Sequence, residues 1–254
     1  MLKVKTTEEI EILRANNLLV SQTLGELGKM IEPGVSTLQL DKRAEEFIRD
    51  HGAVPGFLGY GGFPNSLCTS VNDAIVHGIP SKDTILKEGD IVSIDCGTKM
   101  NGFFGDSAYT FKVGEVNDQV EKLLGATRES LYKGIEKATV GNRVGDISYA
   151  IQSCAENNGF SVVREMVGHG LGQNMHESPE IPNYGKQGRG SKLKEGLVIC
   201  IEPMINFGTK SIKQDSDGWT IRTMDGKPSA HFELAIVIRE NKADFLSTFD
   251  YIEN

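Results

Sequence analysis

No apolar run in the 254-residue sequence approaches the roughly 20 residues needed to cross a bilayer, which excludes a spanning helix. The longest apolar runs are strand-sized. Nor do residues Met1 to Ile10 carry a signal-peptide core, since Lys3, Lys5, Glu8 and Glu9 interrupt them. A cytoplasmic location is therefore the expectation, with no membrane partner. Cysteine is scarce: Cys68, Cys96, Cys154 and Cys200 stand far apart with no C-x-x-C pair. Neither a thiolate zinc knuckle nor a redox motif is indicated, and buried free thiols are expected. Lys and Arg total 27 against 35 Asp and Glu, for a net charge of −8, and never form a dense run. That argues against specific nucleic-acid binding through phosphates.

What remains is ordinary for a globular chain: 39% hydrophobic and 24% charged residues, at a length that buries a core without staples. Within it lies a repeat. Leu86-Lys87-Glu88-Gly89 recurs as Leu193-Lys194-Glu195-Gly196, 107 residues later, and six residues after each glycine stand Ile94-Asp95 and Ile201-Glu202. The same offset links Gly34 to Gly141 and Gly52 to Gly159, and each pair brackets a segment that reads as a helix, about 37–51 and 144–158. In the first, Leu38, Ala44, Phe47 and Ile48 supply the apolar face. Longer amphipathic helices near 8–30 and 118–137 precede them, giving helix, helix, sheet in each half. The expected fold class is α+β, one catalytic domain over 1–254 with halves of approximately 1–113 and 114–254. A pseudo-twofold axis would set Asp95 and Glu202 facing each other.

Asn101-Gly102 is a type I′ turn signal between runs at 90–100 and 103–113. A two-residue loop pairs Met100 with Phe103 and so places Asp106 opposite Gly97, on the face of Asp95. Such diagonal neighbours lie roughly 7–8 Å apart, a span two carboxylates can close around one or two metal ions. Buried and unpaired, they would cost several kcal/mol in desolvation, so cations neutralise them or the face is solvated.

Glu202 interrupts the apolar strand 197–205, and Glu233 interrupts 231–238. Only five histidines occur. His77, His169 and His176 lie in Gly- or Pro-marked turns, the latter two in a run with Gly168, Gly170 and Gly172, whereas His51 reads as a helix cap. Four carboxylates with one or two imidazoles suit Mn, Fe, Co or Zn in a two-metal hydrolytic centre better than one structural zinc.

The order Asp95, Asp106, His169, Glu202, Glu233 resembles the methionine aminopeptidases, nearly along the whole chain. The segments that carry the resemblance are His77-Gly78-Ile79-Pro80, Asp95 to Asp106, Gly168-His169-Gly170-Leu171-Gly172 with His176-Glu177, Ile201-Glu202-Pro203-Met204, and Glu233. The spacing of 31 residues from Glu202 to Glu233 resembles the short type 1 form, for which no N-terminal zinc-binding extension is expected.

The resemblance implies a pita-bread fold: two pseudo-symmetric halves, antiparallel sheet covered by helices. It also implies removal of the initiator methionine from nascent proteins, with a metal-bridging hydroxide as nucleophile. Two divalent ions (Co, Mn, Fe, Zn or Ni) would be held by Asp95, Asp106, His169, Glu202 and Glu233, with Glu202 also the general base. His77 and His176 would orient the substrate carbonyl and scissile amide. Tyr60, Phe63, Cys68 and Trp219 would enclose the methionine side chain, with Phe57 and Met175 as variations of the wall. The partner implied is a peptide or nascent-chain N-terminus beginning with Met, met in transient contact with the ribosome by a monomeric enzyme.

At its last motif the sequence departs from the family, reading Ala230-His231-Phe232-Glu233-Leu234. His231 would share the face of Glu233 on a strand, as a donor to it or in an ordinary polar contact. Three rival readings are a proline-specific peptidase of the same fold, a non-catalytic binding module on this scaffold, and an iron oxygenase. The first generally needs a further N-terminal domain, the second a lost ligand, and the third fewer carboxylates.

Overall fold

The computed structural model describes residues 2–253; Met1 and Asn254, the ends of the expected 1–254 unit, lie outside the described residues. The first half contains α1 (Thr7–Gly28), α2 (Thr37–Asp50), β1 (Val54–Pro55), β2 (Leu67–Val71), β3 (Ala74–Val76), β4 (Ile91–Met100) and β5 (Phe103–Lys112). The second begins with α3 (Asp118–Ile135), α4 (Val144–Asn157), β6 (Ser161–Val162), β7 (Val167–Gly170), β8 (Glu177–Pro182), β9 (Val198–Ile201) and β10 (Met204–Asn206). It continues through β11 (Ile212–Gln214), β12 (Ile221–Thr223), β13 (Ser229–His231), β14 (Leu234–Val237), β15 (Asp244–Phe245) and α5 (Asp250–Glu253).

The helices start where side chains accept the amides left free by the first turn. Thr6 Oγ1 accepts from Glu9 N while Glu9 returns a carboxylate oxygen to Thr6 N, and Ser36 with Gln39 does the same for α2. On α2 the fully buried stripe is Leu40, Ala44 and Ile48, one turn apart; Leu38 and Phe47, expected in the core, flank it half-buried.

The 107-residue repeat holds residue for residue at the second helix of each half and the short strand that follows it. Both boundaries of α2 recur in α4, those of β1 recur in β6, and α1 and α3 end on equivalent residues, Gly28 and Ile135. Val54 pairs with Lys99 and Pro55 with Thr98; Ser161 pairs with Asn206 and Val162 with Ile205, at the same offset. Gly34 and Gly141 have φ of 96° and 98°, a left-handed conformation that glycine adopts without steric cost. The chain then turns alike in both halves: Leu86 N donates to Val35 O at 2.8 Å and Leu193 N to Asn142 O at 2.9 Å.

The hairpin of β4 and β5 has the expected register throughout, Met100 opposite Phe103 and Gly97 opposite Asp106, around Asn101 and Gly102 with φ of 53° and 81°. Its counterpart is less regular than the continuous strands expected over 197–205 and 231–238. Each is broken, into β9 and β10 and into β13 and β14, yet both pieces keep one register: Ile201 faces Leu234 and Met204 faces His231. Pro203 has no N–H to give the ladder, so pairing lapses for two residues. Glu202 and Glu233 occupy that gap, opposite one another.

By this register the symmetry mate of Asp106 is His231, and that of Ala108 is Glu233. The tight turn at 101–102 is replaced in the second half by an excursion over 208–227, which carries β11, β12 and Trp219 back to pair with β3.

Two apolar layers follow the symmetry. One packs α1 and α2 on β4 through Leu24, Leu40, Ile48 and Ile94; the other packs α3 and α4 on β9 and β14 through Leu123, Ile147, Ile151, Ile201 and Ile236. The opposite sheet faces, with Phe57, Phe63, Cys68, Val198 and Cys200, meet in a third cluster at the centre. This is the pita-bread arrangement, α+β with antiparallel sheet under helices.

Helix α1 touches β5 so closely that a Cβ on Gly105 would lie 2.7 Å from the Asn16 carbonyl carbon and 2.9 Å from Asn17 N. Those are backbone atoms and cannot swing aside. Gly105→Ala should destabilise the protein by about 1–3 kcal/mol, the cost of overpacking. A urea midpoint unchanged from the native protein would refute the close approach.

Candidate active site

Asp95 from β4 and Asp106 from β5 share a sheet face, as their register requires, and Glu202 and Glu233 project from the two-residue gap in the second ladder. His169 comes from β7. These five residues line one cavity of about 280 Å³, which His77, His176, Tyr60, Phe63, Cys68 and Trp219 also line. All eleven residues proposed from the sequence are thus brought to a single place.

His169 Nε2 lies 3.6 Å from Asp106 Oδ2 and 3.6 Å from Glu202 Oε1, while His231 Nε2 lies 3.5 Å from Glu202 Oε2. At 3.0 Å the Gly170 carbonyl accepts a hydrogen bond from His169 Nδ1, which leaves Nε2 with its lone pair aimed at the acids. Asn17 Oδ1 accepts from the Asp106 amide at 3.1 Å, so α1 fixes this stretch of β5. Ser107 and Thr110 donate to the carbonyls of Glu233 and His231 and tie the second hairpin to the first.

Burial dominates the electrostatics. It pushes all four acids above the ordinary carboxylate range: Asp95 to about 6, Asp106 well up through burial and then Glu233, Glu202 through burial and then Asp95, and Glu233 through burial and then Glu202. The imidazoles move the other way. Burial holds His169 down at about 3 and His77 at about 4, and lowers His176 and His231, so all four rings are neutral at pH 7.

Asp95 Oδ1, Asp106 Oδ1, Glu233 Oε1 and His231 Nε2 are buried without a hydrogen-bond partner. Orphaned acceptors on one surface, beside a neutral imidazole, are what divalent cations satisfy. Donor atoms of Asp106, His169, Glu233 and Cys200 all lie within 4.8 Å of one another.

Around the acids stands an apolar collar. Phe63 meets Trp219 edge-on at 5.1 Å between centroids, and Tyr60 O–H reaches His176 Nδ1 at 2.8 Å. The rings of His176 and His169 lie 4.4 Å apart. Glu177, the residue after His176, is held by Lys5 at 2.7 Å in an ion pair whose side chains are both about 5% exposed, so the N-terminal segment anchors this loop. His77 sits at φ 59°, and a Cβ on the next residue, Gly78, would fall 2.2 Å from Thr69 O, so only glycine lets the His77 turn lie against β2.

Some details differ from expectation. Met175 is packed behind the wall, its methyl against Gly56 and Gly97, and does not line the cavity; Phe57 does. Val76, Glu165, Met166, Val167 and Met204 also line it. Met204 follows Glu202 by two residues and was within reach of strand periodicity, but nothing local signals Glu165 or Met166. His231 does not continue a strand into Glu233; it pairs with Met204 at the edge of the ladder gap, its Nε2 3.5 Å from Glu202 Oε2. His51 is a cap, its Nδ1 2.7 Å from Phe47 O. The cysteines are free, and all but the half-buried Cys154 are buried.

A pita-bread fold whose symmetry axis gathers four carboxylates and an imidazole defines a metal-dependent hydrolase of the peptidase class. The chain belongs to metallopeptidase family M24, whose signature it matches over residues 11–240. It is 49% identical to a methionine aminopeptidase of Clostridium acetobutylicum, over 97% of this chain and 99% of that one. It is 51% identical to methionine aminopeptidase 1 of Bacillus subtilis, with the same coverage. The crystal structure of a methionine aminopeptidase from Rickettsia prowazekii superposes with a TM-score of 0.96 at 40% identity, over 98% of this chain and all of that one. Membership of the family implies use of divalent metal.

Metal bound only by the folded state adds to its stability. Manganese at 100 times its dissociation constant should stabilise metal-stripped protein by about 2.7 kcal/mol, read as a rise of several degrees in melting temperature. Glu233→Gln should shrink that rise. An identical melting temperature with and without every divalent ion tested would show that these acids hold no metal.

Proposed function

We propose that this protein is a methionyl aminopeptidase that removes the initiator methionine from nascent chains, working with two divalent ions. The observation that carries this reading is one cavity with two zones. Its floor is the buried set of Asp95, Asp106, His169, Glu202 and Glu233; its wall is the apolar collar of Tyr60, Phe63, Cys68 and Trp219. Relatives at about half identity, bearing the name methionine aminopeptidase over the full length, support the substrate.

Four carboxylates offer more oxygens than one tetrahedral ion can use, which favours two ions over one. Asp95, Asp106, His169, Glu202 and Glu233 would hold the two ions between them, with His169 Nε2 3.6 Å from both Asp106 Oδ2 and Glu202 Oε1. Bound there, Co, Mn, Fe, Zn or Ni would polarise the scissile carbonyl and bring water within reach of deprotonation near neutral pH.

The side chains of this chain do the rest. Glu202 accepts the proton of the attacking water and passes it to the leaving amine, with His231 Nε2 3.5 Å from its far oxygen. His176, oriented by the Tyr60 hydroxyl, and His77, fixed by its turn, donate to the substrate carbonyl oxygen and the scissile amide. The collar accepts an unbranched thioether and excludes water from the floor.

Both halves contribute donors, so residues 1–254 are read as one catalytic domain. A monomer in the cytoplasm, meeting nascent chains in transient contact with the ribosome, fits this activity; among the described residues no helix is long and apolar enough to cross a membrane.

Metal-stripped protein given Mn²⁺, Fe²⁺ or Co²⁺ should release Met from Met-Gly-Gly and leave Ala-Pro and Gly-Pro intact. Cleavage of the proline dipeptides alone would favour the proline-specific reading, and silence on all three with every metal would remove the enzymatic one. His77→Ala and His176→Ala should each lower kcat by about 100-fold or more with metal content unchanged. Trp219→Ala should reduce kcat/KM for Met substrates about tenfold relative to Ala substrates; a preserved ratio would take Trp219 out of the pocket.

A further inference from the structure

Cys200 is fully buried on β9 and shares a face with Glu202, two residues on. Across the ladder it pairs with Ala235, which makes Glu233 its diagonal neighbour. Its sulfur and donor atoms of Asp106, His169 and Glu233 all lie within 4.8 Å of one another.

Two further observations show that this corner is built for a ligand. Asp106 Oδ1 and Glu233 Oε1, both buried, have no partner. His169 Nε2 is aimed between the acids, its other nitrogen engaged by Gly170. One sulfur, one imidazole nitrogen and two carboxylate oxygens at the corners of so small a volume match the ligand count and chemistry of a tetrahedral zinc or cobalt site.

We propose that Cys200 is a direct donor to the ion on the His169 side of the centre, giving this site a sulfur ligand and a preference for thiophilic ions over manganese. The proposal rests on the reading of the cavity as a metal centre. On coordination the S–H bond breaks, the sulfur–metal bond forms, and the proton leaves to solvent. Manganese already stands below cobalt and zinc at sites of carboxylate and imidazole, and a soft thiolate widens that gap. Of the other two buried thiols, Cys68 pairs with Asp95 on the far side of the cavity floor, and Cys96 packs with α1 and α2 on the opposite sheet face.

The test is a titration of metal-free full-length protein with Co²⁺, following the visible d–d bands and the near-ultraviolet sulfur-to-cobalt charge-transfer band. Native protein should show both, Cys68→Ser both, and Cys200→Ser the d–d bands alone. Cys200→Ser should also lower the ratio of zinc to manganese affinity by about tenfold or more, a loss at least as large as removing a group hydrogen-bonded to a ligand. X-ray absorption of zinc-loaded native protein should find sulfur at about 2.3 Å, one atom per two zinc ions, a readout independent of how any variant folds. Cobalt d–d bands without the charge-transfer band, a band that survives Cys200→Ser, or a zinc shell with no sulfur would each overturn the proposal while leaving the metal centre standing. Native protein with no d–d bands would overturn both.

Discussion

Mutual repulsion among four carboxylates, withdrawn from water around a pseudo-twofold axis, is the constraint on which the rest of the structure depends. Each buried anion forfeits several kcal/mol of hydration, and like charges directly across a ladder oppose one another. Glu202 and Glu233 stand across such a gap and Asp95 lies diagonally from Asp106, so the cluster has a low cost only when divalent cations share its oxygens. The surrounding architecture holds the acids together against that repulsion: α1 braces β5 through Asn17, and Ser107 and Thr110 stitch the two hairpins into one floor.

Duplication supplies the frame, and departures from symmetry supply the chemistry. Helix α2 and strand β1 recur as α4 and β6 with matching boundaries 107 residues on, and the same offset brings Asp95 and Glu202 to equivalent places. Where the first half turns in two residues at Asn101-Gly102, the second makes the excursion over 208–227 that lays Trp219 beside Phe63 at the mouth of the cavity. Pro203 opens the second ladder just where two glutamates must leave the sheet. His231 takes the place that Asp106 holds in the first half, so one half offers an aspartate where the other offers an imidazole.

Polar residues at the cavity wall are held as firmly as the acids. His77 is fixed by a left-handed turn that Gly78 alone can accommodate, and His176 by Tyr60 from one side and by the buried Lys5–Glu177 pair from the other. Neutral imidazoles so placed can donate to a peptide without being consumed as counter-ions to the carboxylates.

Much of this was legible in the sequence because its signals are local or periodic. A two-residue turn fixes a hairpin register, helix caps mark boundaries, and a constant offset between glycines that need positive φ betrays a repeat; from these came the fold, the Asp95–Asp106 face and the pairing of Asp95 with Glu202. The collar residues and the order of the ligands were legible only through resemblance, since an aromatic or a cysteine alone says nothing about which cavity it faces. Tertiary structure alone decided the rest. Glu233 stands opposite Glu202, and His231 against it, across a 20-residue excursion whose length conceals the register. Met175 lies behind the wall rather than in it, and Cys200 sits beneath Asp106, His169 and Glu233, because side-chain direction at a broken strand is set by the packing of elements distant in sequence.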